Sequence, residues 1–526
     1  MKSIQISLIM LMLVGLSISC SNHPKVPSSS NETTSSLKIF PDYTDVTVPY
    51  NIAPLNFKVL NRGSRVVAQI TDGSGNKETY GNEMKVEIPE EEWSDMLSKS
   101  KGKSLTIDVY VEDGGSWQHY SPFKIEVAED AIDEYISYRL INPSYVAYEE
   151  LRICERNLTN FDEQDIYNNM LLSAEDDGQC INCHSYQNYK TDNMQFHIRQ
   201  GHGGTILVHE GKAKKINLKT DSTISAGVYP SWHPTLPVIA YSTNSTGQSF
   251  HTKDRGKIEV SDAASDLILY DILKNEVSII ENDSTEFEVF PWWSPDGKTL
   301  YYCSAHFEFN DTAVVTGPSK SEDVYGNATE GKDKSKLELH QAQIIEHYTE
   351  IKYNIYRKAF NSQTLTFGPR ELVLNADSMN RSATLPRISP DGRYLLYGLG
   401  NFGCFHIWHP DADLWITDLK TMESRALSTA NSPESESYHS WSSNGRWILF
   451  ATRRDDGNYS RLYISYFDKQ GNAHKAFELP QKDPDFYREF LKSYNVPEFM
   501  VEPVKLSPQD FCSVDLTDAL PATLRK

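Results

Sequence analysis

Short runs in which hydrophobic and polar residues alternate dominate the chain between Lys38 and about Val127. Alternation with a period of two is typical of half-buried β-strands, and turns containing Gly and Asn separate several of the runs. The clearest runs are residues 45–48, 55–60, 65–70, 85–88 and 105–111. About seven short strands with such turns predict a β-sandwich of immunoglobulin type over residues 38–128.

The second half of the chain carries a pattern that occurs four times. Each unit has a strand entering a tight turn, an alternating apolar run, and a further strand later. The turn residues are specific, because Pro presets φ, Asp or Asn bonds back to the backbone, and Gly tolerates positive φ. The units begin at Tyr229, Phe290, Leu385 and Tyr438, and the first one lacks the Asp-Gly pair.

Such units bury their faces only by stacking around an axis, so they predict the four-stranded blades of a β-propeller over residues 204–480. Residues 205–217 are interpreted as one more, degenerate blade, and closure with strands from both ends would make six. Two long insertions, 245–262 and 305–350, interrupt the spacing, and loops of that length are usually functional lids or disordered. Residues 481–526 are expected to form a C-terminal tail, with a helix near 483–493 and an extended segment near 495–500.

Residues 129–203 differ from both β regions. Residues 131–136 and 162–172 are predicted to be helical, the second with Asp and Glu in its first turn. Cys180-Ile181-Asn182-Cys183-His184 follows, and C-x-x-C-H is the attachment signature of a c-type haem. The two thiols add to the two vinyl groups, and the next residue places an imidazole under the iron. We therefore expect a short helical segment that binds haem c covalently through Cys180 and Cys183, with His184 as proximal ligand.

Two other interpretations of this motif remain open. The cysteines could be a C-x-x-C redox pair or a disulfide that happens to precede a histidine. A structural zinc site is disfavoured, because no second Cys or His pair lies nearby at ligand spacing. The four cysteines outside the motif and the N-terminal segment allow three disulfide pairings that sequence cannot rank, and buried free thiols are the default. These are Cys154, Cys303, Cys404 and Cys512.

The iron of such a haem needs a sixth ligand or an open face. Met194 is the first candidate, His197 the second and His202 the third, although each could equally be an ordinary core or surface residue. If residues 194–199 form a strand, Met194 and His197 point to opposite faces. Arg199 would then lie beside His197 and could bind a haem propionate.

The N-terminus predicts export. Lys2 and a short apolar run form a signal peptide over residues 1–19, and Cys20 resembles the lipidated cysteine of a bacterial lipobox, with Ser17 as a departure from the usual pattern. Plain secretion is the alternative. Residues 20–37, rich in Ser, Pro and Thr, are expected to be a flexible tether. The expected location is therefore the bacterial outer membrane or envelope, in the periplasm or facing outward.

Length and charge narrow the possible functions. At 526 residues the chain needs about three domains, and its net charge of −21 argues against nucleic acid as a partner. The chain lacks the G-x-S-x-G, H-E-x-x-H and P-loop motifs, so no catalytic residues are assigned and enzymatic activity stays open.

The order of lipobox, β-sandwich, C-x-x-C-H motif and Pro-Asp-Gly repeats resembles a Bacteroidetes-type family of TolB-like β-propeller lipoproteins related to cytochromes c. The resemblance implies a mainly β chain, haem c and a propeller of six WD40-like blades, but no known reaction. The first hypothesis is a lipid-anchored electron carrier or redox sensor whose propeller docks a protein or redox partner. The second is a TolB-like binding scaffold in which haem is structural or absent. The third is a haem enzyme with an open sixth position.

Overall fold

The computed structural model describes residues 23–143, 150–172, 179–311 and 334–525. The predicted signal peptide and the lipidation site Cys20 lie outside these ranges, as does much of the insertion 305–350. The described residues contain 36 strands and four short α-helices, which confirms the prediction of a mainly β chain. Within these residues, no helix combines the length and the apolar character that a membrane span requires.

The N-terminal region forms two sheets that share one core. The larger sheet has seven strands, and the smaller one, of three strands, consists of β2, β4 and β7. The strands are β1 (Asn31–Glu32), β2 (Ile39–Phe40), β3 (Thr47–Pro49), β4 (Phe57–Val59), β5 (Arg65–Thr71), β6 (Lys77–Tyr80), β7 (Lys85–Val86), β8 (Ser104–Asp113), β9 (Ser116–His119) and β10 (Phe123–Ala128). In β8 every second residue from Leu105 to Val111 is buried, which is the alternation that predicted it.

This region also contains a helix that the strand pattern did not predict. Helix α1 (Glu90–Ser100) begins after Pro89 and carries three glutamates in its first turn, where they favour the helix dipole. Trp93, Met96 and Leu97 are buried and spaced to share one helical face. The helix therefore packs on the core that the two sheets share.

The rest of the described chain forms six units of four antiparallel strands each, called sheets 1 to 6 below. Sheet 6 contains β11 (Tyr135–Ile141), β12 (Arg152–Asn157), β13 (Glu163–Asn168) and the late strand β34. Sheet 1 contains β14 (Ile181–Gln187), β15 (Lys190–Ile198), β16 (Gly204–His209) and β17 (Lys212–Asn217). Sheet 2 contains β18 (Val228–Trp232), β19 (Val238–Phe250), β20 (Ile258–Asp271) and β21 (Glu276–Glu281).

The remaining three units follow the predicted repeats. Sheet 3 contains β22 (Glu286–Trp293), β23 (Thr299–His306), β24 (Asn354–Asn361) and β25 (Thr366–Leu374), and it joins sheet 2 through one parallel pairing of β20 with β22. Sheet 4 contains β26 (Ser382–Ile388), β27 (Tyr394–Gly400), β28 (Asp413–Asp418) and β29 (Glu423–Ala426). Sheet 5 contains β30 (Glu436–Trp441), β31 (Trp447–Thr452), β32 (Arg461–Tyr466) and β33 (Phe477–Glu478), and β34 is Ser493–Met500.

The first strands of these sheets form a closed ring. In the order β14, β18, β22, β26, β30 and β34, each strand contacts the next, and β34 contacts β14. Sheet 6 closes the ring, because the late strand β34 pairs with β11 from before sheet 1. The arrangement is β-propeller-like, and strands from both ends of the ring region complete it. Three further helices and two short strands are α2 (Lys334–His347), α3 (Phe486–Glu489), α4 (Pro508–Asp515), β35 (Leu520–Pro521) and β36 (Thr523–Leu524).

The predicted helices of residues 129–203 are wrong. Residues 131–136 run into β11, and residues 162–172 form β13 followed by a single 3-10 turn, Asn169–Leu171. Pairing with β12 and β34 supplies backbone hydrogen bonds that outweigh the local helical pattern. The expected boundary at residues 203 and 204 lies between β15 and β16, which are hydrogen-bonded neighbours in sheet 1.

The C-terminal predictions also need correction. The expected helix at 483–493 is reduced to α3, four residues long, and the expected extended tail at 495–500 is the ring strand β34. After β34, the helix α4 contacts sheets 1 and 6, where Phe511 is buried among their side chains. The residues after 480 therefore belong to the ring and do not form a separate tail.

The N-terminal region packs directly on sheet 5. The indole of Trp447 and the amide of Asn444 both donate to the carbonyl of Ala131, and the Tyr466 hydroxyl donates to Asp130 at 2.7 Å. The hydroxyl of Thr47 lies 2.8 Å from Nδ1 of His474. One hydrophobic core includes residues from both regions, so the two are joined by packing as well as by polar contacts.

Candidate functional site

The C-x-x-C-H motif lies on the innermost strand of sheet 1. Cys180 precedes β14, and Cys183 and His184 lie within it, all three of them buried. The hairpin of β14 with β15 places Asn182 opposite His197 and Tyr186 opposite Met194. Strand pairing therefore brings every candidate haem residue of the sequence analysis, from Cys180 to Arg199, onto one hairpin.

The imidazole of His184 is buried without hydrogen bonds. It is 1% exposed, and neither Nδ1 nor Nε2 has a partner. Burial, with a contribution from the charge of Arg139, lowers the pKa of His184 to about 3, so the ring is neutral at pH 7. The backbone groups of Val496 and Ser137 lie near the ring and act to raise the pKa of His184. Neither group meets the geometry of a hydrogen bond to the ring nitrogens.

Both thiols of the motif are free and buried. Burial raises the pKa of Cys183, and the charge of Arg199 partly offsets that shift. The backbone of Arg199 donates to the carbonyl of Cys180 at 2.9 Å, which holds the start of the motif against the end of β15. The other four cysteines of the described chain are also free thiols.

Two arginines flank the motif. Nη1 of Arg139, from β11, donates to the carbonyl of Ile181 at 3.2 Å, while its Nε is buried and has no partner. Arg199 follows β15 and lies close enough to shift the pKa of both Cys183 and His197. Two guanidinium groups thus lie beside the motif, as recognition of an anionic ligand requires.

Met194 and His197 lie on opposite faces of β15, as alternation predicted. Met194 is fully buried in the core between sheets 1 and 6, together with Phe196 and Ile198. His197 is also buried, and its Nδ1 lies 2.9 Å from the hydroxyl of Thr205. Burial, followed by the charge of Arg199, lowers the pKa of His197 to about 3.

The sixth-ligand candidates differ in how they stand relative to His184. His184 and Tyr186 are two residues apart on β14 and therefore point to the same face. Tyr186 is paired with Met194, so Met194 lies on the same face of the hairpin as His184. Axial ligands must approach an iron from opposite sides of the porphyrin, and the structure does not bring Met194 opposite His184. His202, the third candidate, lies 3.6 Å from Asp515 of α4.

A β-bulge recurs on all six ring strands and includes the motif. Each strand has one non-glycine residue with positive φ, between 47° and 58°, followed by Pro or His. The bulge is a register shift in the pairing of each ring strand with its neighbour in the same sheet. In five sheets that neighbour is the following strand of the chain, and in sheet 6 it is β11, which pairs with β34. The six pairs are Cys183-His184, Tyr229-Pro230, Phe290-Pro291, Leu385-Pro386, Tyr438-His439 and Val496-Pro497.

His184 is therefore equivalent to His439 of sheet 5. His439 Nε2 donates at 2.8 Å to the carbonyl of Leu385, the positive-φ residue of the preceding ring strand. The ring of His184 lies near Val496, which is the positive-φ residue of β34, the ring strand that precedes β14. The repeated residue-Pro pairs of the sequence carry the signal for this equivalence, and the haem interpretation of Cys183-His184 does not use it.

The residues fit a c-type haem in their chemistry. Two free thiols, a neutral imidazole with unpaired nitrogens and a guanidinium with an unpaired Nε are the groups that vinyl carbons, iron and propionates require. In the described ranges, no three His, Cys, Asp or Glu side chains are arranged to hold a metal ion by themselves.

Comparison with known proteins gives weak structural similarity only. No protein-family model and no curated protein matches the sequence. An oligogalacturonate lyase solved in complex with manganese is 11% identical, with 70% of this chain and 87% of that chain covered at a TM-score of 0.29. A DUF4784 family protein from Bacteroides caccae is 8% identical, with 74% and 95% covered at a TM-score of 0.24. Neither similarity assigns an activity to this chain.

Proposed function

We propose that this protein is a lipid-anchored, extracytoplasmic c-type haem protein that carries electrons or senses redox state. Its ring of sheets is then a six-bladed TolB-like β-propeller that docks a protein partner, and the N-terminal sheets are an immunoglobulin-like spacer. One observation carries the proposal: His184 is buried with both ring nitrogens unpaired, beside two free thiols at haem-attachment spacing.

The argument is energetic. A buried polar group without a partner costs free energy, so an imidazole with two unpaired nitrogens would be stabilised by a ligand. Because the low pKa keeps His184 neutral, its lone pair is available to a metal at pH 7. The imidazole therefore does not have to lose a proton before it can bind a metal.

Each residue has a distinct role in this proposal. Cys180 and Cys183 would hold the haem covalently, His184 would bind its iron, and Arg139 and Arg199 would neutralise the propionates. Bound haem supplies one-electron chemistry at its iron. The apolar core between sheets 1 and 6 keeps water from one side of the hairpin. The polarity of its environment is one of the factors that determine the reduction potential of a haem.

Covalent haem is the direct test. The full chain is co-expressed with a cytochrome c maturation system and stained for haem on a denaturing gel. We expect a haem-positive band from the wild-type protein and none from the Cys180→Ala, Cys183→Ala double variant. Cys303→Ala, which removes a buried free thiol of sheet 3, is the matched control and should stay positive. A colourless wild-type band would contradict the proposal.

Membrane anchoring is tested separately. Cys20 follows the apolar run of the signal peptide and precedes the polar tether, so acyl chains on this residue would supply the anchoring energy. We expect wild-type protein in the membrane fraction and the Cys20→Ala variant in the soluble fraction. A wild-type protein that is soluble, with Cys20 unmodified or removed, would instead indicate plain secretion.

The equivalence of His184 and His439 favours a second candidate, a TolB-like binding scaffold without haem. Sheet 5 holds an imidazole at this position with no cysteine next to it in the sequence, so the fold alone can accommodate the ring. In that case Cys180 and Cys183 are buried core thiols. Presence or absence of covalent haem separates the two candidates.

A further inference from the structure

Glu288 of β22 is a carboxylate without any partner in the interior of the ring. The residue is 0% exposed, and neither Oε1 nor Oε2 has a hydrogen bond. Its position is two residues before the positive-φ residue Phe290. It lies apart from the haem motif, on the third strand of the ring, and the proposed function does not use it.

The same position of sheet 5 carries a glutamate that is fully paired. Glu436 lies two residues before Tyr438 and is also 0% exposed. Its Oε1 accepts from Ser432 at 2.6 Å, from Thr452 at 3.0 Å and from the guanidinium of Arg454 at 3.0 Å. The fold thus provides a cation at this position in sheet 5, and Arg454 is that cation.

Three side chains that carry oxygen atoms lie near Glu288. Ser265 of β20 pairs in parallel with Phe287 of β22, so Asp266 and Glu288 lie side by side on one face. Thr243 stands opposite Asp266 on β19, and its hydroxyl is buried and unpaired. The hydroxyl of Tyr302, close enough to feel the charge of Glu288, is also buried and unpaired.

Two further carboxylates nearby have cationic partners. Glu281 pairs with Lys358, and Glu286 pairs with Arg370 at 3.3 Å. Burial, followed by the charges of Asp266, Glu281 and Glu286, raises the pKa of Glu288 to about 9. Without a cation the residue is therefore protonated at pH 7, which leaves a proton that a metal ion can displace.

We propose that a hard, oxygen-liganded cation of the Ca²⁺ class binds Glu288, with Asp266 and the Thr243 hydroxyl as further ligands. It takes the place that Arg454 holds beside Glu436. Carboxylate and hydroxyl oxygens without nitrogen or sulfur are the donor set of such ions, and Ca²⁺ accepts water for the rest of its shell. Water would supply the rest of the coordination shell, since no three acidic, His or Cys side chains in the described chain converge on one metal position.

The test uses the full-length protein stripped with EDTA and titrated with CaCl₂ by calorimetry and by thermal unfolding. We expect binding and a Tm that rises with Ca²⁺ concentration, with an affinity that increases as the pH approaches 9. Glu288→Gln keeps the shape and should lower the affinity by about tenfold or more. Thr243→Val should weaken binding less, and it serves as the second variant if Glu288→Gln does not fold.

Glu478→Gln is the matched control, because Glu478 is another buried glutamate, in sheet 5, and the charges of Arg461 and Arg454 act on it. Its response to Ca²⁺ should equal that of the wild type. An absence of Ca²⁺ binding by the wild-type protein, or equal binding by Glu288→Gln, would overturn the proposal and leave Glu288 as a protonated core residue. Haem content does not enter this test, so its failure is distinct from failure of the proposed function.

Discussion

His184 in sheet 1 and His439 in sheet 5 occupy the same bulge position in two units of one ring. His439 follows Tyr438 and donates to the carbonyl of Leu385, whereas His184 follows Cys183 and has no hydrogen bond at either nitrogen. The fold accordingly explains the presence of an imidazole in both places. What the fold does not explain is the pair of thiols beside His184 and its unpaired nitrogens, and the haem proposal rests on these features.

The largest expected difference between the two histidines comes from proline substitution. Four of the six equivalent positions are proline, so His184→Pro and His439→Pro should both preserve the backbone. We expect His184→Pro to fold but to lose the wild-type haem spectrum, because the proximal ligand is gone. His439→Pro should keep that spectrum and lose about 1 kcal/mol of unfolding free energy with its hydrogen bond to Leu385.

Absorption spectra of the purified, matured variants and urea unfolding measure both effects. Wild-type protein is the reference for the spectrum, and His439→Pro is the control for the bulge. A His184→Pro protein with an unchanged haem spectrum would remove His184 as an iron ligand.

The second comparison uses pH and protein expressed without haem maturation. Burial, followed by a neighbouring arginine charge, lowers the pKa of both His184 and His439 to about 3, while an unfolded histidine titrates near 6.5. The unfolded state therefore binds more protons between pH 6.5 and 3, and stability falls as the pH falls through that window. Each histidine contributes about 1.4 kcal/mol per pH unit to this loss.

Each proline variant should accordingly lose about 2–3 kcal/mol less than the wild type between pH 7 and pH 4.5. Urea unfolding at the two pH values gives the difference directly. If His439→Pro flattens the pH dependence and His184→Pro does not, the two side chains are not equally buried as neutral rings, and their equivalence fails.

The sequence predicted the repeated sheets much better than it predicted the place of Cys183 and His184 within them. The Pro, Asp and Gly turns after Trp293 and Ile388 indicate the repeated sheets, because those residue types determine local backbone geometry. The place of Cys183 and His184 in the same repeat depends on a bulge between β14 and β15, and the turn signal is absent there. Pairing over more than 350 residues joins β34 to β11, and no local pattern specifies such a partner.

The candidate haem residues were predictable as a set but not in their geometry. The spacing of Cys180, Cys183 and His184 is the basis of the haem proposal, and alternation correctly placed Met194 and His197 on opposite faces. The unpaired state of His184 and of Glu288 depends on what packs around them from other sheets. Arg139, which contacts the carbonyl of Ile181 from β11, has no motif at all that links it to the site.

The smallest expected effect concerns Met194, the first candidate for the sixth ligand. Met194 leaves the same face of the hairpin as His184, and its side chain fills the core between sheets 1 and 6. Leucine has a similar volume, so Met194→Leu should cost less than about 1.5 kcal/mol and leave the haem spectrum unchanged. His197→Ala provides the contrast, because His197 lies on the other face. Carbon monoxide binding to the reduced proteins measures whether the sixth position of the iron is open. If the position opens only in Met194→Leu, methionine is the ligand and the hairpin must rearrange around the haem. If it opens only in His197→Ala, the histidine is the ligand.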